Sequence, residues 1–182
     1  MALGATIFKA ELQVADMDRG YYRDHSLVLA RHPSETDERL MVRLMAFALN
    51  ASESLEFGRG LSTEDEPDLQ QKDLTGLTEL WIDVGLPSER AIRKASGRAG
   101  RVLVYAYGGR SVDVWWKQVE APLVRCRNVS VIELPQHATQ ALAQLAKRSM
   151  KLQCTIQDGQ AWVTDGETSV EIVPVVQMAS AR

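Results

Sequence analysis

Cysteine is scarce in this chain: Cys126 and Cys154 are the only two among 182 residues. They match no zinc-ligand spacing, and each lies among strand-forming residues, which predicts two buried free thiols and no cysteine-built metal centre. Long apolar runs are also missing. No uninterrupted stretch approaches the length that crosses a bilayer, and the N-terminus lacks a basic region followed by an apolar run, so neither a membrane span nor a signal peptide is expected. Repeats, low-complexity tracts and linker-like segments are absent as well. Together these absences predict one domain over residues 1–182, reduced and cytoplasmic, with no membrane partner.

What is present is the composition of an ordinary globule, 45% hydrophobic and 25% charged, on a chain long enough to bury a proper core. The net charge of −3 conceals an asymmetry. Residues 1–89 carry 8 Lys and Arg against 17 Asp and Glu, a net −9; residues 90–182 carry 13 against 7, a net +6. An acidic total excludes a protein that coats nucleic acid with its whole surface. The split leaves two outcomes open: halves that neutralise each other, or a fold with one basic face.

Periodicity predicts the elements. Residues 5–16 alternate, with Phe8, Ala10, Leu12 and Val14 on one side and Lys9, Glu11 and Gln13 on the other, which makes a strand with one wet face. Met17 to Gly20 reads as a turn and Tyr21 to Arg31 as the return strand. Ser34 is placed to cap a helix, with Asp37 three residues on. Leu40, Met41, Leu44, Met45, Ala48 and Leu49 give that helix, which ends near Asn50, its buried stripe. Leu55 to Phe57 reads as a short strand, Thr75-Gly76 as a hairpin turn, and Leu77 to Gly85 as a strand buried on both faces. A helix from Ser88 to about Gly100 carries Arg90, Arg93, Lys94 and Arg98 beside a narrow stripe of Ala91, Ile92, Ala95 and Ala99. Arg101 to Tyr105 is the parallel strand that follows. Ser111 opens a helix in which Trp115 and Trp116 fall at core spacing. Asn128 to Leu134 reads as a strand and Pro135 to about Arg148 as a helix. Leu152, Cys154 and Ile156 begin a meander that turns at Asp158-Gly159 and Asp165-Gly166 and ends in a strand from Val170 to Val176. The expected class is α/β: a mixed central sheet flanked by helices, with an N-terminal hairpin and a C-terminal β meander.

The chemistry concentrates between Glu64 and Tyr107. Asp68 closes the acidic cluster Glu64-Asp65-Glu66-Pro67-Asp68, and Asp83 interrupts an otherwise apolar strand. A carboxylate in a buried strand is costly unless it is paired, hydrogen-bonded or bound to metal. Asp68 and Asp83 are a hairpin apart, so neighbouring antiparallel strands would set both at one cleft. Two carboxylates, waters and a substrate phosphate complete the hard octahedral shell of Mg²⁺, and Mn²⁺ is the other candidate. Arg90, Arg93, Arg98 and Arg101 are candidates to meet the phosphates of a nucleic acid, with Arg90, Lys94 and Arg98 at i, i+4 and i+8 on one face. The same cations equally suit a solvated helix face. Glu38, in the first turn of the first helix, is either a dipole-favoured surface acid or an acid reaching toward that site.

Glu64-Asp65-Glu66-Pro67-Asp68-Leu69, Leu80-Trp81-Ile82-Asp83-Val84-Gly85-Leu86-Pro87 and Arg93-Lys94-Ala95-Ser96 leading to Val102 through Tyr107 resemble the bacterial YaeQ family. The first helix from Glu38 and the flanking hairpins match too, so the resemblance covers nearly the full chain. It implies a variant of the PD-(D/E)XK restriction-endonuclease-like fold. It implies Asp68 as the first acid, in Pro67-Asp68, and Asp83 as the second, the pair that holds the metal and carries catalysis. The lysine of the parent pattern falls at Gly85 here. Relatives in the larger superfamily move this lysine to the following helix, which makes Lys94 the candidate for the role or one more cation on a solvated face, and Glu38 the candidate for the acid that some members carry on their first helix. One function so implied is a Mg²⁺- or Mn²⁺-dependent phosphodiesterase acting on nucleic acid, favoured by the acid pair. Another is a non-catalytic nuclease-like module that binds nucleic acid or a protein partner, favoured by Gly85. A third is a structural protein that pairs through an exposed sheet edge, and fold alone does not choose among them.

Overall fold

The computed structural model describes residues 4–59 and 65–181; Glu64, the first acid of the expected cluster, lies outside them. Strands β1 (Thr6–Asp16) and β2 (Tyr21–Arg31) form the expected hairpin, in antiparallel register from Thr6–Arg31 to Asp16–Tyr21. Phe8, Ala10, Leu12 and Val14 turn inward and the residues between them face solvent. Helix α1 (Asp37–Asn50) is capped by Thr36, whose hydroxyl accepts the Arg39 N–H at 3.1 Å, and not by Ser34. The chain is still turning at Ser34: the Glu35 N–H bonds back to the His32 carbonyl, and the Ser34 hydroxyl is taken by the His32 ring.

Strands β3 (Leu55–Phe57), β4 (Leu69–Lys72) and β5 (Thr78–Val84) follow as antiparallel neighbours. Helix α2 (Glu89–Ser96) returns the chain to β6 (Ala99–Ala106), parallel to β5, and α3 (Arg110–Leu123) returns it to β7 (Val129–Glu133), parallel to β6. Then come α4 (Gln136–Ala143), β8 (Ser149–Gln157), β9 (Gln160–Thr164), β10 (Ser169–Ile172) and β11 (Val175–Met178). Among the described residues the strands make two mixed sheets. The expected central sheet has the order β11-β7-β6-β5-β4-β3. The hairpin and the meander, expected as flanking pieces, join into a second sheet, β10-β9-β8-β1-β2, because β1 lies parallel to β8.

Three further boundaries differ from the sequence expectation. Helix α2 ends at Ser96, with Gly97 as its cap, since β6 begins at Ala99 to pair with Thr78. Arg98 therefore lies in the turn after the helix and Arg101 on β6. Helix α4 ends at Ala143, and the N–H groups of residues 144–146 tighten to i→i−3 carbonyls instead of continuing as far as Arg148. The strand expected from Val170 to Val176 is broken at Pro174, which has no N–H to give a ladder. Its first half pairs with β9 in one sheet and its second half with β7 in the other.

Helices α1 and α4 pack with the inner faces of both sheets in one core that includes Leu12, Leu44, Phe47, Ile82, Leu142 and Leu152. Helices α2 and α3 cover the other face of the six-stranded sheet, in a second core with Trp81, Ile92, Val104, Val112 and Trp115. Trp115 is buried, and its indole N–H donates to the Pro87 carbonyl at 2.7 Å, tying α3 to the turn that leads into α2. Cys154 is buried as expected; Cys126 is only half-buried, because it sits in the turn after α3 and not on a strand. Both thiols are free. Among the described residues no helix is long and apolar enough to cross a membrane.

Gly58 couples this framework to Asp68. Its N–H donates to the Asp68 carbonyl at 2.8 Å, and a Cβ at this position would stand 2.2 Å from the Pro67 carbonyl oxygen. Gly58→Ala is expected to lower the unfolding free energy by about 1–3 kcal/mol, read from the urea midpoint. Gly4→Ala, with open space around it, is the control and stays within about 0.5 kcal/mol of the parent.

Candidate functional site

Asp68 stands at the point where β4 begins. Leu69 pairs with Ile82, and the Asp68 N–H donates to the Ile82 carbonyl at 2.9 Å, which sets Asp68 beside Asp83 on the neighbouring strand. Both acids line one cleft of about 270 Å³, together with Arg39, Glu66, Ala91 and the turn from Val84 to Ser88. Asp68 Oδ2 accepts the Val84 N–H at 2.8 Å, so a side chain supplies the acceptor where β4 has not yet begun its ladder. Its Oδ1 accepts Arg39 Nη2 at 2.7 Å.

Arg39 is itself held. Its Nη1 donates to Glu35 Oε2 at 2.9 Å, and Glu35 Oε1 accepts Arg43 Nη2 at 2.6 Å. Arg43 is fully buried and also donates to the Ala30 carbonyl of β2 at 3.0 Å. A chain of charges thus runs from β2 through α1 to the end of β5. Sequence reasoning missed all three of Glu35, Arg39 and Arg43. The signal was their four-residue spacing, with Arg43 set inside the apolar run from Leu40 to Ala48.

Asp83 is half-buried on the face it shares with Trp81. Burial pushes its carboxyl up to about 7, and the negative charge of Asp68 adds to the push. The Trp81 indole, the Asp68 backbone N–H and Arg39 pull the other way and do not cancel it. The Trp81 N–H is buried, and it comes near enough to draw the carboxyl down without reaching hydrogen-bond geometry with any group.

The remaining candidates lie elsewhere. Lys94 does not line the cleft; its ammonium is bonded to the Asp65 carboxylate. That bond, joined by the charges of Arg98 and Arg90, holds Asp65 below the ordinary carboxylate range. Glu38 does not line the cleft either: it accepts the Thr139 hydroxyl at 3.0 Å and faces α4. Arg93 pairs with Glu89 one turn back, 3.3 Å away. Arg90, Arg98 and Arg101 are exposed. Arg90 and Lys94 share a helix face, and Arg98, beyond the helix end, still reaches the same Asp65 through its carbonyl at 3.4 Å. The glycine at position 85 has a backbone reason. Its φ is 101°, a region that side chains with a Cβ rarely enter, and its N–H bonds the Tyr105 carbonyl at 2.9 Å as the chain leaves β5. A lysine there would strain the turn.

Two carboxylates are hard oxygen donors, the kind that Mg²⁺ and Mn²⁺ accept. Asp68 and Asp83 fit such an ion as a minimal pair. Each Asp68 oxygen already accepts one hydrogen bond and keeps a second lone pair. Among the described residues no group of three or more His, Cys, Asp or Glu side chains converges on one point. The rest of a shell would therefore come from water and ligand oxygens.

Fold and site together define a mixed α/β protein, with two sheets and four helices among the described residues and a paired-acid cleft where β5 gives way to α2. The family model of the YaeQ protein matches residues 1–174, and the chain belongs to the YaeQ family. It is 47% identical over 173 residues to the uncharacterized protein YaeQ of Salmonella typhi, covering 94% of this chain and 95% of that one. It is 45% identical over 173 residues to YaeQ of Escherichia coli K12, with the same coverage. Its structure is similar to the crystal structure of YaeQ from Xanthomonas axonopodis pv. citri, with a TM-score of 0.93 and 53% identity over 96% of this chain and 99% of that one. YaeQ from Pseudomonas syringae gives a TM-score of 0.92 and 36% identity over 98% of each chain.

The raised carboxyl of Asp83 has a signature in stability. Between about pH 4 and 7 the folded protein keeps a proton that the unfolded chain has lost, so this group's contribution falls as pH rises through that window. Above about pH 7 the cost is complete, on the order of 4 kcal/mol at most. Asp83→Asn is expected to match the parent near pH 3.5, below the unfolded-chain pKa, and to melt higher than the parent at pH 8. A variant that melts lower at pH 8 would mean that Asp83 is held by hydrogen bonds to its charged form instead.

Proposed function

We propose that the cleft binds a divalent cation, Mg²⁺ or Mn²⁺, between Asp68 and Asp83 and hydrolyses phosphodiester bonds of nucleic acid, on a variant restriction-endonuclease-like core. The observation that carries this is the placement of two neighbouring acids at one cleft, with Asp83 kept there at an electrostatic cost. A partly buried like-charge pair is a liability in the bare protein that a bound cation removes. Such a cation supplies polarisation of a phosphoryl oxygen and a lowered pKa for its water.

The chain's own groups do the rest. Arg39 and the Val84 N–H fix the orientation of Asp68 beside Asp83, so that both carboxylates would present to the ion. Arg90 on α2 and Arg98 just beyond its end, both exposed, carry the flanking phosphates, whereas Arg101 on β6 is out of phase with Val102 and Val104, which pack toward α2. The compartment we assign is the cytoplasm, where free thiols such as Cys126 and Cys154 stay reduced. One observation favours the second reading, a non-catalytic module that binds nucleic acid or a protein partner: Lys94 is bonded to Asp65 and does not reach the cleft.

Saturating Mn²⁺ is expected to raise the melting temperature of the parent, by the equivalent of about 2.7 kcal/mol at a hundredfold excess over Kd. Asp83→Asn should abolish that response. A parent that shows no thermal shift and cleaves neither single- nor double-stranded DNA or RNA would hand the cleft to the non-catalytic reading. On duplex DNA, each phosphate contact gives a log–log salt slope of roughly −0.9, so replacing Arg90 and Arg98 with Ala should flatten the slope by about two such steps. An unchanged slope would return those arginines to a solvated surface.

A further inference from the structure

Phosphodiester hydrolysis builds negative charge on the phosphoryl oxygens, and a cleft that carries only acids would repel its own substrate. Lys94 does not answer this need, because its ammonium is spent on Asp65 outside the cleft, and position 85 is held as glycine by its backbone. Among the described residues that line the cleft, Arg39 is the one with a fixed positive charge. The geometry points to Arg39 as the group that grips the phosphate in this cleft, a catalytic residue in contact with the substrate; this rests on the reading that a phosphodiester occupies the cleft.

The argument is one of donors and rigidity. A guanidinium has five N–H donors in a fixed planar fork. Arg39 spends one from Nη2 on Asp68 Oδ1 and one from Nη1 on Glu35 Oε2. The side chain is 15% exposed and lines the cleft. The donors left over are thus available to an oxyanion there. The carboxylates of Asp68 and Glu35 hold the guanidinium on two sides. It stays cationic at every working pH and acts by donation, never as a base. Glu35, locked in turn by the buried Arg43, fixes the plane of the fork from behind. A pre-oriented cation of this kind needs no rearrangement as charge develops on the phosphate. Because the same guanidinium also holds Asp68, one side chain couples the substrate phosphate to the first acid.

The test uses the full chain, with inorganic phosphate as the probe, titrated calorimetrically with and without saturating Mn²⁺. Arg39→Gln removes the charge and keeps polar contacts to Asp68. Arg39→Lys keeps the charge and loses the fork, and it serves if the Gln variant fails to fold by circular dichroism. Either variant is expected to weaken phosphate binding about tenfold or more, the loss of a charge-assisted hydrogen bond. The Mn²⁺ thermal shift should survive, because the two acids remain. On a cleaved substrate, kcat should fall by about 10²–10³ for Arg39→Gln. A merely structural Arg39 would lower the melting temperature and leave phosphate affinity unchanged, and that result overturns the inference. If the parent shows no Mn²⁺ response yet binds phosphate in a way that Arg39→Gln abolishes, the metal-dependent hydrolysis fails and the phosphate grip stands. If the parent binds phosphate under neither condition, the grip is overturned as well.

Discussion

The ion-pair chain from Arg43 through Glu35 and Arg39 to Asp68 sets the terms on which the cleft exists. Its far end is a guanidinium with no exposed surface, bonded to Glu35 and to the Ala30 carbonyl, with two of its nitrogens lacking a hydrogen-bond partner and the Phe57 ring 6.0 Å away. Taking such charges out of water costs several kcal/mol per ion, and only mutual pairing with good geometry offsets it. Removing one member strands the others, at a cost of about 3–5 kcal/mol. The chain therefore behaves as a unit. Helix α1 cannot rotate or slide without breaking it, and Asp68 cannot leave β5 without stranding Arg39. Rigidity at the acid pair is inherited from a contact three side chains away.

The charge asymmetry between the two halves of the sequence resolves in a local way. The acidic half supplies Asp65 and the basic half answers with Lys94, Arg98 and Arg90. At this spot the halves neutralise each other, which removes Lys94 from the cleft. Arg90 and Arg98 remain exposed on and just beyond α2, so a part of the basic character survives where a polyanion can meet it. Inside the cleft the acids belong to the first half of the chain, and so does the cation, Arg39.

Much of the fold was legible. Alternation located β1 and β8, helical spacing located α1, and the Asp-Gly pairs marked two hairpin turns, because each of these is a local pattern that burial on one side enforces. The neighbouring placement of Asp68 and Asp83 was legible too, from hairpin spacing and from one polar residue in a buried strand. What stayed hidden was non-local. Arg39 and Arg43 read as polar residues of an amphipathic helix, and only the presence of a sheet on either side of α1 makes them interior. Lys94 was assigned by its position on α2, but its partner is 29 residues away in a loop. The end of α2 at Ser96 follows from the register of β6 against β5. Pro174 was visible, yet that it divides two sheets depends on where β7 leaves an open edge.

The parallel pairing of β1 with β8 bears on the order in which the molecule can be built. β1 begins at Thr6 and β8 at Ser149, so the five-stranded sheet cannot be completed until most of the chain has left the ribosome. Until then the hairpin of β1 and β2 must shield Phe8, Leu12 and Val14 with α1 alone, while the crossovers of the six-stranded sheet close between near neighbours. Pairings this distant in sequence are slow to find, and they leave a strand edge open to other chains in the meantime. One of the two edges of that late sheet is β2, and the last carbonyl before its end, Ala30, is already occupied by Arg43. The buried arginine that steadies the cleft thus also blunts one site of mispairing during synthesis.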